Sequence, residues 1–171
     1  MANHILVLGG IRSGKSQLAE SLISQCAGPV CYLATATAGD GEMHQRIQQH
    51  QARRPPQWGL REEPLRLAET LNSLASGEAP AVLVDCMSLW LSNLLHAGEA
   101  VFQQERSAFL TALADYPAEV VVVSNEVGLG TIGMDPLTRR FCDELGWLNQ
   151  DLARQCHQVH LSIAGLPQRL K

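Results

Sequence analysis

The residues from Gly9 to Ser16 combine types and spacing that could bind a phosphate. They run Gly-Gly-Ile-Arg-Ser-Gly-Lys-Ser and match the pattern GxxxxGK[ST]. Glycines at both ends let backbone N–H groups surround a phosphate because no side chain intervenes. Lys15 would add a positive charge at the β- and γ-phosphates, and the Ser16 hydroxyl would be a ligand for Mg²⁺. The motif therefore predicts a nucleotide phosphate site.

Two carboxylates come after apolar runs further along the chain. Asp85 directly follows the run 81–84, and Glu126 comes shortly after the run 120–123. A phosphate loop needs an acid for its hydrated Mg²⁺, usually at the end of a nearby apolar strand. We therefore expect Asp85 to hold Mg²⁺ together with Ser16. Either Asp85 or Glu126 could be the general base of a kinase, and the sequence leaves that choice open.

A polar segment over residues 39–61 interrupts the otherwise apolar patterning. Met43 and Ile47 give it only a thin apolar contact, so a helix here would lack a deep core-facing side. One interpretation is a solvated surface helix. The other is a catalytic flap, at about 40–54, over the carboxyl edge of a sheet, where open α/β sheets bind their ligands. Composition does not separate the two interpretations. The segment carries the basic side chains of His44, Arg46, His50, Arg53 and Arg54.

Elsewhere, short apolar runs alternate with stretches of helical spacing. This alternation predicts a single α/β domain over residues 1–171, with a mostly parallel sheet flanked by helices. The expected strands lie at 5–8, 30–34, 81–84, 120–123 and 159–163, and the expected helices at 15–26, 63–75, 87–96, 100–114 and 136–155. In such a sheet the glycine motif and Asp85 both follow strands and face the same edge.

Composition limits the classes of protein that this chain can be. At 171 residues, 46% of them hydrophobic, it is long and apolar enough for one folded domain and not for a disordered chain. A net charge of −4 without a basic stripe argues against nucleic acid as a partner. No run is long enough for a membrane span, and five cysteines without an export signal predict reduced thiols in the cytoplasm. Charged residues, at 18%, are fewer than usual, which is a weak sign of an oligomer.

Six motifs in a fixed order give the chain a family resemblance. Gly9 to Ser16 comes first, and the others are Leu-Ala-Thr at 33–35, Arg-Ile-x-x-His at 46–50, Arg-Pro-x-x-Trp at 54–58, Asn-Glu-Val-Gly-x-Gly at 125–130 and Asn-Gln-x-Leu-Ala at 149–153. The set resembles the bifunctional adenosylcobinamide kinase/adenosylcobinamide-phosphate guanylyltransferases of cobalamin biosynthesis, over essentially the whole chain.

The resemblance implies two reactions on a RecA-like P-loop fold. Adenosylcobinamide would be phosphorylated by ATP or GTP, and GMP would pass from GTP to adenosylcobinamide phosphate through a guanylylated histidine, giving adenosyl-GDP-cobinamide. It also implies a homotrimer. By position, His50 matches the guanylylated histidine, and Lys15 is the other catalytic candidate. The matching nucleotide-contacting positions are Gly9, Gly10, Ile11, Arg12, Ser13, Gly14, Lys15, Ser16, Leu33, Ala34, Thr35, Gln51, Ala52, Arg53, Arg54, Glu62 and Asp85.

The side chains suit this chemistry. A neutral imidazole is a competent nucleophile at phosphorus, and Arg53 and Arg54 lie one helical turn beyond His50, where they could stabilise negative charge on the α-phosphate. Some relatives carry a second histidine before the nucleophile, where this chain has Gln49, and many continue the loop after Gly130 with Val-Pro, where it has Ile132 and Gly133. Two other hypotheses stay open: a small-molecule P-loop kinase without nucleotidyl transfer, and a nucleotide-binding switch without enzymatic activity.

Overall fold

A computed structural model describes residues 2–36, 55–130 and 133–171 of the chain. Within these residues the strands form one sheet in the order β3-β2-β4-β5-β1-β6-β7. Neighbouring strands are parallel, except that β7 runs antiparallel to β6. The strands are β1 (Ile5–Gly9), β2 (Val30–Ala34), β3 (Gly59–Glu62), β4 (Ala81–Asp85), β5 (Val120–Asn125), β6 (Gln158–Ile163) and β7 (Leu166–Arg169).

Helices cover both faces of this sheet. They are α1 (Lys15–Ile23), α2 (Leu67–Ala75), α3 (Met87–Ala97), α4 (Glu99–Asp115) and α5 (Pro136–Gln155). Side chains alternate along β1: Ile5 and Val7 pack with buried residues of α1, while Leu6 and Leu8 pack with the other four helices. Because strands buried on both faces are apolar throughout, the central strands read as continuous runs of valine, leucine and isoleucine in the sequence.

Several elements begin or end where local chemistry dictates. The α5 helix starts at Pro136 after Asp135, whose carboxylate accepts from the N–H of Thr138 at 2.8 Å. Predicted α2 begins at residue 63, whereas the observed helix begins at Leu67. The Glu63 carboxylate accepts from the N–H groups of Leu65 and Arg66, at 2.9 and 2.8 Å, and forms a turn ahead of the helix.

The five predicted strands and five predicted helices are all present, but two strands were missed. Both lie at the edges of the sheet, and all four residues of each are exposed. Strand β3 begins in the polar segment and ends just after it, and β7 contains Pro167. An exposed edge strand needs no pattern of apolar residues, so a prediction that relies on hydrophobic periodicity does not detect it. Of the helices that the structure describes, none combines the length and apolar character needed to cross a bilayer.

Candidate functional site

The glycine loop connects the end of β1 to the start of α1. Gly14 has a φ of 89°, a conformation that favours glycine, and Arg12 has a φ of 52°. A Cβ at Gly9 would lie 2.8 Å from the carbonyl oxygen of Ser162, so the first position of the motif also has no room for a side chain. The side chains of Ile11 and Arg12 are exposed at the tip of the loop. The loop thus presents its backbone, as the sequence motif predicts.

Two strands fix the position of the loop. The carbonyl oxygen of Ser13 accepts from the hydroxyl of Ser162, in β6, at 2.7 Å and from the N–H of Gly165, in the turn between β6 and β7, at 2.8 Å. On the other side, the Glu126 N–H, just after β5, donates to the Gly9 carbonyl at 3.1 Å. These bonds pre-organise the backbone of the loop before any ligand binds.

The charges at the loop suit an anion. Helix α1 has Gly14 as its N-cap, with no capping side chain and no acidic residue in its first turn. Its N-terminal N–H groups and the positive end of its dipole are therefore directed to the loop without an opposing negative charge from that turn. The Lys15 ammonium donates to the Gly10 carbonyl at 3.0 Å, which holds the lysine over the loop.

Asp85 ends β4 at the same edge of the sheet. Its register partners are Ala34 of β2 and Val123 of β5, while Gly9 pairs with Asn125 of β5. One strand, β5, therefore separates Asp85 from the glycine loop. The structure brings this predicted acid and the loop to one edge.

Tyr32, in β2, and Thr35, directly after β2, hold Asp85. The Tyr32 hydroxyl donates to Asp85 Oδ2 at 3.0 Å, and the Thr35 N–H donates to the Asp85 carbonyl at 3.1 Å. The Thr35 hydroxyl accepts from the N–H of Cys86 at 2.9 Å and donates to its carbonyl at 2.7 Å. The peptide bond between Asp85 and Cys86 is cis. Both the side chain and the main chain of Asp85 are thus held from β2.

The segment from Leu33 to Thr35 was predicted to contact nucleotide. Leu33 is fully buried in the core, and the hydroxyl of the fully buried Thr35 is occupied by Cys86. Glu62 ends β3 at the same edge, exposed, with β2 between it and β4. Contacts of these residues with a nucleotide stay a prediction.

The predicted residues of the polar segment lie outside the described residues. This applies to the flap at about 40–54 as a whole, and to His50, Gln51, Ala52, Arg53 and Arg54. Their roles therefore stay predictions.

Cys86 is an unsuitable nucleophile, although it lies at this edge. Burial raises the pKa of its thiol, and the Asp85 charge raises it further, against weaker lowering effects from Ser88 and Lys15. A buried thiol with a raised pKa carries little thiolate. It is a packing residue in the wall of the site.

The donor set at this edge fits Mg²⁺. In the described part of the chain, no three side chains of histidine, cysteine, aspartate or glutamate are grouped so that they could hold a metal ion alone. Magnesium commonly takes one or two protein oxygens and completes its shell with phosphates and water. Ser16, in the first turn of α1, and Asp85 are hard oxygen donors of this kind. The fit is therefore to a metal that arrives with a nucleotide.

Sequence reasoning missed a polar network beside Asp85. The Asn125 side-chain N–H donates to the Ser88 hydroxyl at 3.0 Å, and the Asn149 side-chain N–H donates to the Asn125 carbonyl at 3.0 Å. Among the described residues, the Asn125 Oδ1 atom is buried and has no hydrogen-bond partner. The motifs at 125–130 and 149–153 contain both asparagines, but nothing in their spacing shows that they meet.

Comparison with known proteins connects these features to a family. Residues 5–170 match the family described as cobinamide kinase / cobinamide phosphate guanyltransferase. The bifunctional adenosylcobalamin biosynthesis protein CobP of Pseudomonas aeruginosa is 50% identical over 97% of this chain and 96% of its own length. The corresponding protein CobU of Salmonella typhimurium is 36% identical over 98% of this chain and 99% of its own.

A solved structure supports the fold independently. The ATPase EscN of the enteropathogenic E. coli type III secretion system has a TM-score of 0.58 and 12% identity, over 95% of this chain. This chain spans only 43% of the length of EscN, and at such low identity the likeness shows the fold alone. The predicted P-loop α/β fold is confirmed. The chain belongs to the cobinamide kinase / cobinamide phosphate guanyltransferase family, and the prediction of a bifunctional transferase of cobalamin biosynthesis is confirmed with it.

Proposed function

We propose that this chain phosphorylates adenosylcobinamide with ATP or GTP and then transfers GMP from GTP to the resulting adenosylcobinamide phosphate. The observation that carries the proposal is the glycine loop of Gly9–Ser16, pre-organised at the carboxyl edge of the sheet beside Asp85, in a chain that matches the family almost end to end.

In the kinase step, the hydroxyl oxygen of the aminopropanol group forms a bond to the γ-phosphorus, and the bond from that phosphorus to the bridging oxygen breaks. The loop backbone and Lys15 bind the phosphates and offset the charge that grows on them. Ser16 and Asp85 would hold Mg²⁺, which would supply charge neutralisation for the transferred phosphoryl group. The nucleoside diphosphate leaves, and the hydroxyl proton passes to a base; Glu126 is the candidate when Asp85 holds the metal, and Asp85 is the alternative when it does not.

In the transferase step, a ring nitrogen of His50 attacks the α-phosphorus of GTP and pyrophosphate leaves. A phosphate oxygen of adenosylcobinamide phosphate then attacks the same phosphorus, and the bond to nitrogen breaks. Arg53 and Arg54 would stabilise the negative charge on the α-phosphate in both halves. Gln51, Ala52 and Glu62 complete the proposed nucleotide contacts, together with residues 33–35.

The test is intact-protein mass spectrometry after incubation with GTP and Mg²⁺. We expect the added mass of one GMP, labile to acid and stable to alkali, located on His50 by peptide mapping. His50→Asn should abolish the adduct and leave cobinamide phosphorylation intact, and His44→Asn, in the same segment, should retain both. An adduct that survives in His50→Asn contradicts the assignment. Phosphorylation by the wild type with no adduct favours the small-molecule kinase instead.

We also propose a cytoplasmic homotrimer. The support is the low charged fraction of 18%, the exposed apolar side chains of Trp147, Ile163 and Leu166, and five cysteines that are all free thiols. Sedimentation equilibrium of the purified protein tests the trimer; a monomer at micromolar concentration contradicts it.

A further inference from the structure

Tyr32 places a phenol inside the core at the point where the sheet meets the candidate site. The residue is 4% exposed and packs among apolar side chains on the face of the sheet that α1 covers. Its hydroxyl nevertheless donates to Asp85 Oδ2 at 3.0 Å. A buried hydroxyl needs a partner, and the carboxylate of Asp85, the candidate metal ligand, provides one.

The register of the strands explains how the two groups meet. Tyr32 lies opposite Leu83, two residues before Asp85 on the neighbouring strand. Side chains two residues apart on a strand point to the same face, so the ring has to lean toward the carboxyl edge to reach the carboxylate. A phenylalanine could fill the same space but could not make this bond.

The bond leaves the two oxygens of Asp85 in different environments. Tyr32 occupies Oδ2, and within the described part of the chain no hydrogen bond occupies Oδ1. The main chain of Asp85 is held separately by the Thr35 N–H. With the backbone fixed and one oxygen tied back to β2, the carboxylate has one oxygen left to present at the edge of the sheet.

We propose that Tyr32 is a positioning residue for the metal: its hydroxyl holds Asp85 Oδ2 so that Oδ1 faces the Mg²⁺ that accompanies a nucleotide on the glycine loop. This inference rests on the proposed function, because it requires that Asp85 serve the metal. Partners of this kind orient metal ligands, and their loss weakens metal binding rather than the fold.

Binding of a fluorescent GTP analogue with a non-hydrolysable β–γ bridge tests the proposal. It is measured in the His50→Asn background, which prevents guanylylation, in EDTA and across a Mg²⁺ titration. Tyr32→Phe removes one oxygen atom and keeps the ring. We expect its affinity in EDTA to equal that of the parent, while the Mg²⁺ concentration for half-maximal effect rises roughly tenfold.

Tyr116→Phe is the matched control. Tyr116 is 3% exposed, and its hydroxyl donates to the Pro80 carbonyl at 2.9 Å, away from the site. Like Tyr32→Phe, the Tyr116→Phe variant loses a hydrogen bond of a buried phenol, so any general loss of stability appears in both variants. We expect its Mg²⁺ titration to match the parent. An equal shift in both variants would overturn the proposal.

Asp85→Asn separates failure of this inference from failure of the proposed function. If Asp85→Asn shifts the Mg²⁺ titration and Tyr32→Phe does not, Tyr32 has no positioning role, while the assignment of Asp85 as a Mg²⁺ ligand is supported. If Asp85→Asn leaves the titration unchanged, the assignment of Asp85 to the metal is wrong and the inference falls with it. If Tyr32→Phe lowers affinity equally with and without Mg²⁺, Tyr32 acts through packing and the inference is overturned.

Discussion

Lys15 and Lys171 are the two lysines of this chain, and their ammonium groups have different roles. Lys15 donates to the Gly10 carbonyl within the glycine loop, a single contact that a phosphate oxygen can replace. Lys171 donates to the carbonyls of Ala153 and Cys156 and thereby caps the C-terminal end of α5. One lysine is available to a ligand, while the other is committed to the fold.

Replacement of each lysine by alanine separates the two roles. Lys15→Ala should lower cobinamide phosphorylation about a hundredfold or more, because it removes a charge that stabilises the transition state, and should leave the melting temperature close to that of the parent. Lys171→Ala should keep the phosphorylation rate and lose about 1 kcal/mol of unfolding free energy with its helix cap. Initial rates and urea denaturation measure both. The prediction for Lys15 is wrong if the two variants phosphorylate at the same rate.

At the scale of single residues, the sequence identifies site residues that belong to a local motif of characteristic residue types and spacing. Gly9, Lys15 and Asp85 are identifiable because a phosphate loop is contiguous and its acid follows a strand directly. Tyr32 is not, because its partner is 53 positions away and depends on the register of two strands that are not consecutive. Register is set by packing across the whole sheet, which no local window contains.

The glycine loop depends on β6 and the turn after it as much as on β1 and α1. An alanine at Gly9 would place its Cβ 2.8 Å from the carbonyl oxygen of Ser162, a residue of the neighbouring strand β6. An alanine at Gly10 would meet no atom within 4 Å. Packing against β6 therefore explains the glycine at position 9 but not the one at position 10.

This difference gives a prediction about stability. Gly9→Ala should lower the free energy of unfolding by about 1–3 kcal/mol, because the loop must move away from β6 to accommodate the methyl group. Gly10→Ala should change it by less than about 0.5 kcal/mol. Urea denaturation of both variants without nucleotide makes the comparison. Equal destabilisation would contradict the packing argument.

Elements were predictable where they are buried and not where they form edges. Strands β4 and β5 are recognisable in the sequence as valine-rich runs, because both of their faces are covered. Strands β3 and β7 do not, since they pair on one side only and are exposed. The antiparallel β7 also escapes the strand–helix alternation that predicts a parallel sheet, because only a short turn separates it from β6.

At the scale of the whole molecule, the edge of the sheet opposite the candidate site carries a histidine pair. The backbone N–H of His4 donates to His157 Nδ1 at 3.2 Å, and the two imidazole rings lie edge to face with centroids 5.9 Å apart. His4 is 4% exposed, and among the described residues its own Nδ1 is buried without a partner. Burial, and then the neighbouring His157, lower the pKa of His4.

The histidine pair should make the protein less stable in mild acid. Because the pKa of His4 is lower in the folded chain than in the unfolded one, the unfolded chain binds more protons between these two values. Stability is therefore full above the ordinary value of 6.5 and falls as the pH drops below it. His160 adds to this trend, since burial and then Arg169 lower its pKa as well.

His4→Gln should reduce the slope of unfolding free energy against pH, without abolishing it. Urea denaturation between about pH 5 and pH 7.5 measures the slope. His96→Gln, which replaces an exposed histidine on α3, is the matched control. A slope that is the same in His4→Gln and in the parent would show that His4 does not carry the effect.

The support of the glycine loop by the turn after β6 has a consequence for how the protein is made. The ribosome synthesises the loop well before Ser162 and Gly165, which supply the groups that hold the Ser13 carbonyl. Strand β1 also lies between β5 and β6, both of which are translated much later. A nascent chain therefore cannot acquire the finished phosphate loop until these later strands and the turn after β6 have emerged from the ribosome.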